Sequence, residues 1–162
     1  MLDSPVRGFP VKEFEARLER LHKLMSTKGL AGILLMSEPE VRYFTGFLTQ
    51  FWQSPTRPWF LFIPVDKKPI AVIPEIGAAL MRTTWIDDIR TWGAPWPKDD
   101  GISLLQDLLD PLLKSGARLG VMKGHETSLR MPLGDYERLM SGLAGIEVVD
   151  ATDILRNLRM VK

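Results

Sequence analysis

The chain has 162 residues, of which 45% are hydrophobic and 25% are charged, and this is enough for one domain with its own core. The net charge of +1 and the lack of any apolar run near the roughly 18 residues of a membrane helix exclude strongly basic nucleic-acid binders and membrane-spanning proteins. Without cysteine there is no disulfide framework and no thiolate metal site, and with no apolar leader we expect a cytoplasmic protein.

The first third of the chain predicts an arm, a helix and a buried strand. Residues 1–10 lack a periodic pattern and are expected to form an irregular N-terminal arm. An apolar stripe at helical spacing predicts a helix over residues 11–28 that ends at Gly29. The stripe consists of Phe14, Leu18, Leu21 and Met25. Residues 31–36 are wholly apolar, which is typical of a strand buried on both faces.

A short second helix and a hairpin come next. Ser37 followed by Glu40 is a capping-box pattern, which predicts a helix from Ser37 that breaks at Gly46. Residues 58–63 and 69–73 have strand composition, and the polar turn between them predicts an antiparallel hairpin.

Helices and strands alternate in the remainder of the chain. Residues 75–84 predict a helix with Ile76, Ala79 and Leu80 facing inward. A strand is expected near residues 89–92, followed by a proline- and tryptophan-bearing loop. The next helix should present Ile102, Leu105, Leu109 and Leu112 on one face, with Pro111 kinking or dividing it.

Three further elements complete the pattern. They are a strand over residues 118–122, a helix over residues 132–143 and a strand over residues 146–149. Strands that alternate with helices at this spacing predict an α/β layered sheet, to which the hairpin adds an antiparallel part.

The final helix has no stop signal. From Ala151 onward, Ile154, Leu155, Leu158 and Val161 lie on one helical face, and no Gly, Pro or Asn follows them. We therefore expect the natural protein to continue beyond Lys162.

The loop between Gly46 and Trp59 has an unusual composition for a surface loop. It contains Phe51 and Trp52, two prolines and one cation, Arg57. Apolar loops usually pack on something or bind something. With nothing in the chain assigned to cover it, we expect this loop to form the centre of a self-association interface.

Residues for catalysis or metal binding are scarce. His22 and His125 lie far apart, and the acid pairs Asp87-Asp88 and Asp99-Asp100 are typical of solvated loops. No Gly-rich phosphate loop and no nucleophile elbow is present. We predict that this chain alone contains no catalytic residue, no metal site and no cofactor.

Several motifs, in their order along the chain, resemble the N-terminal domain of the creatinase/prolidase (Xaa-Pro peptidase, pita-bread) family. These are Arg17 to Leu21, Gly29 to Leu35, Pro39 to Phe47, Leu119 to Val121, Val148 to Ala151, and Leu158 to Lys162. The resemblance implies a single three-layer α/β domain of ribonuclease-H-like type, with a mixed sheet and flanking helices. It divides the chain into an arm (1–10), the domain (11–150) and a junction helix (151–162) that leads to an absent C-terminal catalytic domain.

The resemblance also implies a function for the parent protein. Family members are Xaa-Pro dipeptidases, aminopeptidases and creatinase-like C–N hydrolases, which act on dipeptides or other small molecules. Their divalent metal pair (Mn, Co or Zn), where one is used, lies in the C-terminal domain and is absent from creatinase-like members. The N-terminal domain builds a homodimer and covers the active site of the neighbouring subunit.

The loop sequence around Arg57 is closer to the creatinase-like branch. By that resemblance, Arg57 reaches the partner subunit's active site and holds a substrate carboxylate, with Trp52 and Phe51 excluding water around it. The guanidinium fork suits this task because it pairs bidentately with a carboxylate.

Two other classes compete with this interpretation. One is a free-standing ligand-binding or dimerisation module without enzymatic activity, which would need a capped final helix. The other is a ribonuclease-H-like nuclease, which would need acids on the central strand, and residues 31–36 contain none.

Overall fold

A computed structural model of the chain describes residues 8–54 and 57–160, which form one sheet covered by helices on both faces. Most of the predicted arm, Pro55 and Thr56 of the loop, and the last two residues of the predicted junction helix lie outside the described residues. The strands are β1 (Gly32–Leu35), β2 (Phe60–Pro64), β3 (Ile70–Pro74), β4 (Asp88–Trp92), β5 (Arg118–Val121) and β6 (Glu147–Asp150). The helices are α1 (Val11–Lys28), α2 (Glu38–Thr45), α3 (Ala78–Met81), α4 (Ile102–Leu109), α5 (Leu133–Gly142) and α6 (Thr152–Met160).

The sheet is mixed, as predicted. Its described strands follow the order β4-β3-β2-β1-β5-β6. The β1–β2 and β2–β3 pairs are antiparallel, whereas β3–β4, β1–β5 and β5–β6 are parallel. The predicted hairpin is therefore present, with Phe60 opposite Val72. The parallel pairs account for the alternation of strands with helices in the second half of the chain.

Two apolar clusters, one on each face of the sheet, give the domain its three layers. Alternate residues of β2 enter opposite clusters, Leu61 and Ile63 on one side and Phe60 and Phe62 on the other. Helices α1, α2 and α6 cover the first face, and α4 and α5 cover the second. Burial on both faces explains why β1 and β2 are apolar at every position.

The helix predicted over residues 75–84 is wrong in length and in orientation. The structure has a 3-10 turn at Glu75–Gly77 followed by the single turn of α3. The side chains expected inside, Ile76, Ala79 and Leu80, are exposed, while Ala78 and Met81 are buried. The tighter 3-10 turn shifts the helical phase, so a pattern with 3.6 residues per turn selects the wrong face.

Two other helix predictions need smaller corrections. Helix α4 ends at Leu109, so Pro111 terminates the helix instead of kinking it, and Leu112 lies beyond its end. At the start of α2, the Ser37 hydroxyl donates to the Glu40 carboxylate and makes no hydrogen bond to a backbone N–H, so the capping box does not form. The predicted ends at Gly29 and Gly46 are confirmed, and both glycines adopt positive φ.

In the described part of the chain, no helix combines the length and the apolar character needed to cross a membrane.

Candidate functional site

The aromatic loop packs on its own domain, contrary to the expectation that nothing in the chain covers it. Trp52 and Trp59 are 4% and 1% exposed, and Phe47 is equally buried. The Trp59 ring centroid lies 5.4 Å from that of Phe47 and 5.7 Å from that of Trp52. These rings form one end of the core on the α1 face. The burial removes the compositional argument for a self-association interface centred on this loop.

The three loop residues predicted to bind the substrate differ in burial. Arg57 and Phe51 are half-buried, whereas Trp52 lies behind them in the core. Phe51 packs against the edge of the same apolar cluster. Trp52 can therefore support the loop from below, but its ring is not presented to solvent beside Arg57.

Arg57 acts electrostatically on Asp100 of another segment. Burial raises the pKa of Asp100 above its ordinary value, and the nearby Asp135 carboxylate adds to this effect. The backbone N–H of Trp96 and the positive charge of Arg57 act in the opposite direction. Arg57 therefore lies within electrostatic reach of Asp100, in the residue 94–101 segment. The Trp96 side chain on that segment is 59% exposed.

Arg130 holds the backbone of the loop, a role that no sequence pattern indicated. Its Nη2 atom donates to the backbone carbonyl oxygens of Trp52 (2.6 Å) and Ser54 (3.0 Å). The guanidinium carbon lies 6.0 Å from the centroid of the Trp52 ring. Arg130 and Trp52 are separated by 78 positions, so no local pattern could have paired them.

The predicted junction helix is tied back to α2. Arg159 Nη1 donates to Glu40 Oε1 at 2.6 Å, and the Glu40 side chain is only 5% exposed. The Tyr43 hydroxyl donates to the Leu158 carbonyl oxygen at 3.2 Å. These contacts join two segments of the family resemblance, Pro39 to Phe47 and Leu158 to Lys162.

A crevice opens at the carboxyl ends of β1 and β5. The chain leaves β1 toward α2 on one face and leaves β5 toward α5 on the other, an arrangement that creates a topological switch point. Two adjoining hollows of about 240 and 320 Å³ lie there and share Met122 and Ser128. The first is lined mainly by apolar side chains, and the second contains the Glu40–Arg159 ion pair.

The other candidate residues are not brought together. His22 Nε2 lies 3.1 Å from the Lys67 carbonyl oxygen at the surface, and His125 is an exposed residue far along the chain. Asp87 pairs with Lys68 at 2.8 Å. Among residues 8–54 and 57–160, no group of three or more His, Cys, Asp or Glu side chains could hold a metal ion. The described residues therefore do not provide the set of ligands that a divalent metal pair needs.

The fold defines an α/β domain of the creatinase N-terminal type. The family model for the Creatinase/Prolidase N-terminal domain matches residues 17–161, and the chain belongs to this family.

Similar proteins include both peptidases and creatinase. The creatinase of Bacillus sp. (strain B-0618) is 25% identical over 154 residues, which are 95% of this chain and 35% of that protein. The dipeptidase PepE from Mycobacterium ulcerans has a TM-score of 0.70 and 26% identity, covering 95% of this chain and 38% of PepE. A prolidase from Thermococcus sibiricus has a TM-score of 0.75 and 15% identity, covering 93% of this chain and 37% of the prolidase. The chain thus spans a little over a third of the length of each.

Proposed function

We propose that this chain is the N-terminal, non-catalytic domain of a creatinase/prolidase-type hydrolase. The parent enzyme would act on Xaa-Pro dipeptides or peptides, or on C–N bonds of creatine-like molecules. The family match over residues 17–161 supports the proposal, as does the match to only a third of a creatinase and of a dipeptidase. The catalytic residues, and a Mn, Co or Zn pair if one is used, would belong to a C-terminal domain.

The proposed division of the chain follows the described elements. Residues 11–150 would form the domain body, and residues 151–162 the junction to the catalytic domain. Helix α6 supports this role because Leu155 and Leu158 are buried in the α1-face core while Met160 is 78% exposed. The centre of α6 thus packs in the core, while Met160 at its end is exposed to solvent. A cytoplasmic location remains a prediction.

We further propose that the parent is a homodimer in which residues 47–59 cover the partner's active site. The observation that carries this proposal is the placement of Arg57, a half-buried cation on a loop whose backbone is held by Arg130 and by buried tryptophans. A guanidinium suits recognition of a substrate carboxylate, because its planar fork pairs with the carboxylate bidentately. Phe51 would lie beside the substrate, and Trp52 would support the loop.

The test is the kinetics of Arg57 variants in the full-length enzyme. Arg57→Ala should remove a charge-assisted hydrogen bond worth roughly 1.5–3 kcal/mol, which lowers kcat/KM by about 10- to 150-fold. Arg57→Lys should restore little activity because the bidentate fork is lost. Xaa-Pro dipeptides and creatine are assayed in parallel, so that the substrate class is read from the same experiment.

Arg82→Ala is the matched control, because Arg82 is an exposed arginine at the end of α3. It should leave kcat/KM unchanged, and the melting temperature of Arg57→Ala should stay near the wild-type value. If Arg57→Ala had wild-type kinetics on every substrate that the enzyme hydrolyses, Arg57 would have no role in substrate binding.

A further inference from the structure

The carboxylate of Glu40 is buried at the first turn of α2 and receives hydrogen bonds from Ser37, just before α2, and from Arg159 of α6. The Ser37 hydroxyl donates to one oxygen, and Arg159 of α6 donates to the other at 2.6 Å. A buried carboxylate without its cation is strongly unfavourable. The position of the last turn of α6 and the position of the first turn of α2 therefore depend on each other.

A second contact makes this dependence geometrically specific. Tyr43, three residues after Glu40 on the same helix, donates to the carbonyl oxygen of Leu158 at 3.2 Å. Residues three apart lie on one face of a helix, so α2 presents both groups to the last turn of α6. Arg17 holds Tyr43 in place, since its guanidinium lies 4.4 Å from the Tyr43 ring centroid and donates to the Tyr43 carbonyl oxygen at 2.8 Å.

The other end of α2 leads directly into the aromatic loop. Trp85 Nε1 donates to the Phe44 carbonyl oxygen at 2.7 Å, and the Phe47 N–H donates to the Thr45 hydroxyl oxygen at 2.9 Å. These hydrogen bonds join the end of the helix to the first residue of the loop. Helix α2 is thus fixed at both ends and has only eight residues, too few to bend appreciably.

We infer that Arg159 is a positioning residue whose ion pair with Glu40 sets α6 against α2, and that α2 transmits this position to the loop that carries Arg57. Helix α2 would then fix the position of the substrate loop relative to α6, the proposed junction to the catalytic domain. What the loop does in catalysis rests on the proposed function, but the coupling between α6, α2 and the loop does not.

Hydrogen exchange of the 162-residue chain tests the coupling directly. Arg159→Met keeps most of the side-chain length and removes the charge. We expect amide exchange to become about 10-fold faster or more in the last turn of α6, in α2 and in residues 46–54, because a charge-assisted bond that opposes local opening is lost. Glu40→Gln should accelerate the same three segments to a smaller extent. If Arg159→Met fails to fold, Glu40→Gln decides the question, with the same three segments expected to respond.

Arg156→Met is the matched control, since Arg156 lies one turn earlier on α6 and donates to the carbonyl oxygen of His125 at the surface. It should leave exchange in α2 and in residues 46–54 at wild-type rates. Acceleration confined to α6 in the Arg159 variant, or equal acceleration by Arg156→Met, would overturn the inference.

A kinetic cycle in the full-length enzyme tests whether Arg159 acts through Arg57. If it does, Arg159→Met should lower kcat/KM about 10-fold in the wild-type background and much less in the Arg57→Ala background. Equal fold-losses in both backgrounds would show that Arg159 does not act through the loop. If the full-length protein hydrolyses none of the substrates, the proposed function fails while the exchange result still decides the coupling.

Discussion

Trp59 is 1% exposed, and its ring lies against a residue without a side chain. A Cβ atom on Gly77 would be 2.2 Å from Cζ3 of Trp59, far closer than carbon atoms approach. The glycine therefore admits the indole ring that closes the core beneath the aromatic loop. The 3-10 turn that differs from the predicted helix is the segment that brings Gly77 to this position.

Gly77→Ala should lower the free energy of unfolding by about 1–3 kcal/mol, the usual cost of overpacking a core. Gly134→Ala is the control, because Gly134 lies in α5 and a Cβ atom added there would meet no side chain within 4 Å. That change should be neutral or stabilising by up to about 1 kcal/mol. Urea titrations of both variants measure the difference, and equal midpoints would contradict the packing argument.

Asp150 joins the end of β6 to the start of α6. The Thr152 hydroxyl donates to Oδ1, and so do the backbone N–H groups of Thr152 (2.9 Å) and Lys123 (3.1 Å). The hydroxyl hydrogen bond is the largest cause that lowers the pKa of Asp150 below its ordinary value. Because the folded state favours the carboxylate, its contribution to stability is present above the ordinary Asp pKa of about 3.9 and is lost as pH falls through the lower pKa of the folded state.

Asp150→Asn should therefore be less stable than wild type near neutral pH, by about 0.5 kcal/mol after allowance for solvent screening at this exposed position. The difference should shrink toward zero as the pH falls from about 3.9 through the lower pKa of the folded state, where the folded wild-type carboxyl becomes protonated and resembles the amide. Urea unfolding between neutral and acidic pH measures it. Asp107→Asn, at an exposed position of α4, controls for the loss of one carboxylate. A difference that grew on acidification would contradict the assigned cause.

Among the secondary-structure elements, those with strong local signals were predicted well. Helix α1 has its predicted bounds, and the β2–β3 hairpin follows from two apolar runs around a polar turn. The wrong or missing predictions concern segments whose structure depends on contacts with residues distant in sequence. The aromatic loop was predicted to be uncovered because its rings pack on one another and on core residues from other elements, which no local pattern reveals. The role of Arg130 could not be predicted because its partners are backbone carbonyls of another segment, and these carry no side-chain signature.

Arg130→Ala should loosen the loop without unfolding the domain. Two hydrogen bonds from a charged donor are lost, so we expect amide exchange in residues 50–54 to become about 10-fold faster or more. Arg138→Ala is the control, since Arg138 lies on α5 but bonds Ser103 and the Lys98 carbonyl oxygen instead. If exchange in residues 50–54 were unchanged in Arg130→Ala, the loop would be held by its buried tryptophans alone.

At the scale of the whole molecule, the described residues include no group of three or more His, Cys, Asp or Glu side chains that could hold a metal ion. The mixed, layered sheet and the family were predicted from motifs in the sequence, whereas the order of the strands was not. The contacts between α6 and α2 and the burial of each loop residue could be seen only in the structure. We propose that the surface around Arg57 serves the active site of another subunit.

A mixed-subunit experiment in the full-length enzyme tests that claim most directly. One subunit carries Arg57→Ala, and the other carries an inactivated catalytic domain with Arg57 intact. If Arg57 acts on the partner's site, each mixed dimer has one complete site, and random mixing in equal amounts should restore about a quarter of wild-type activity. If Arg57 acts within its own subunit, no complete site can form, and activity no higher than that of the two parent variants would contradict the account.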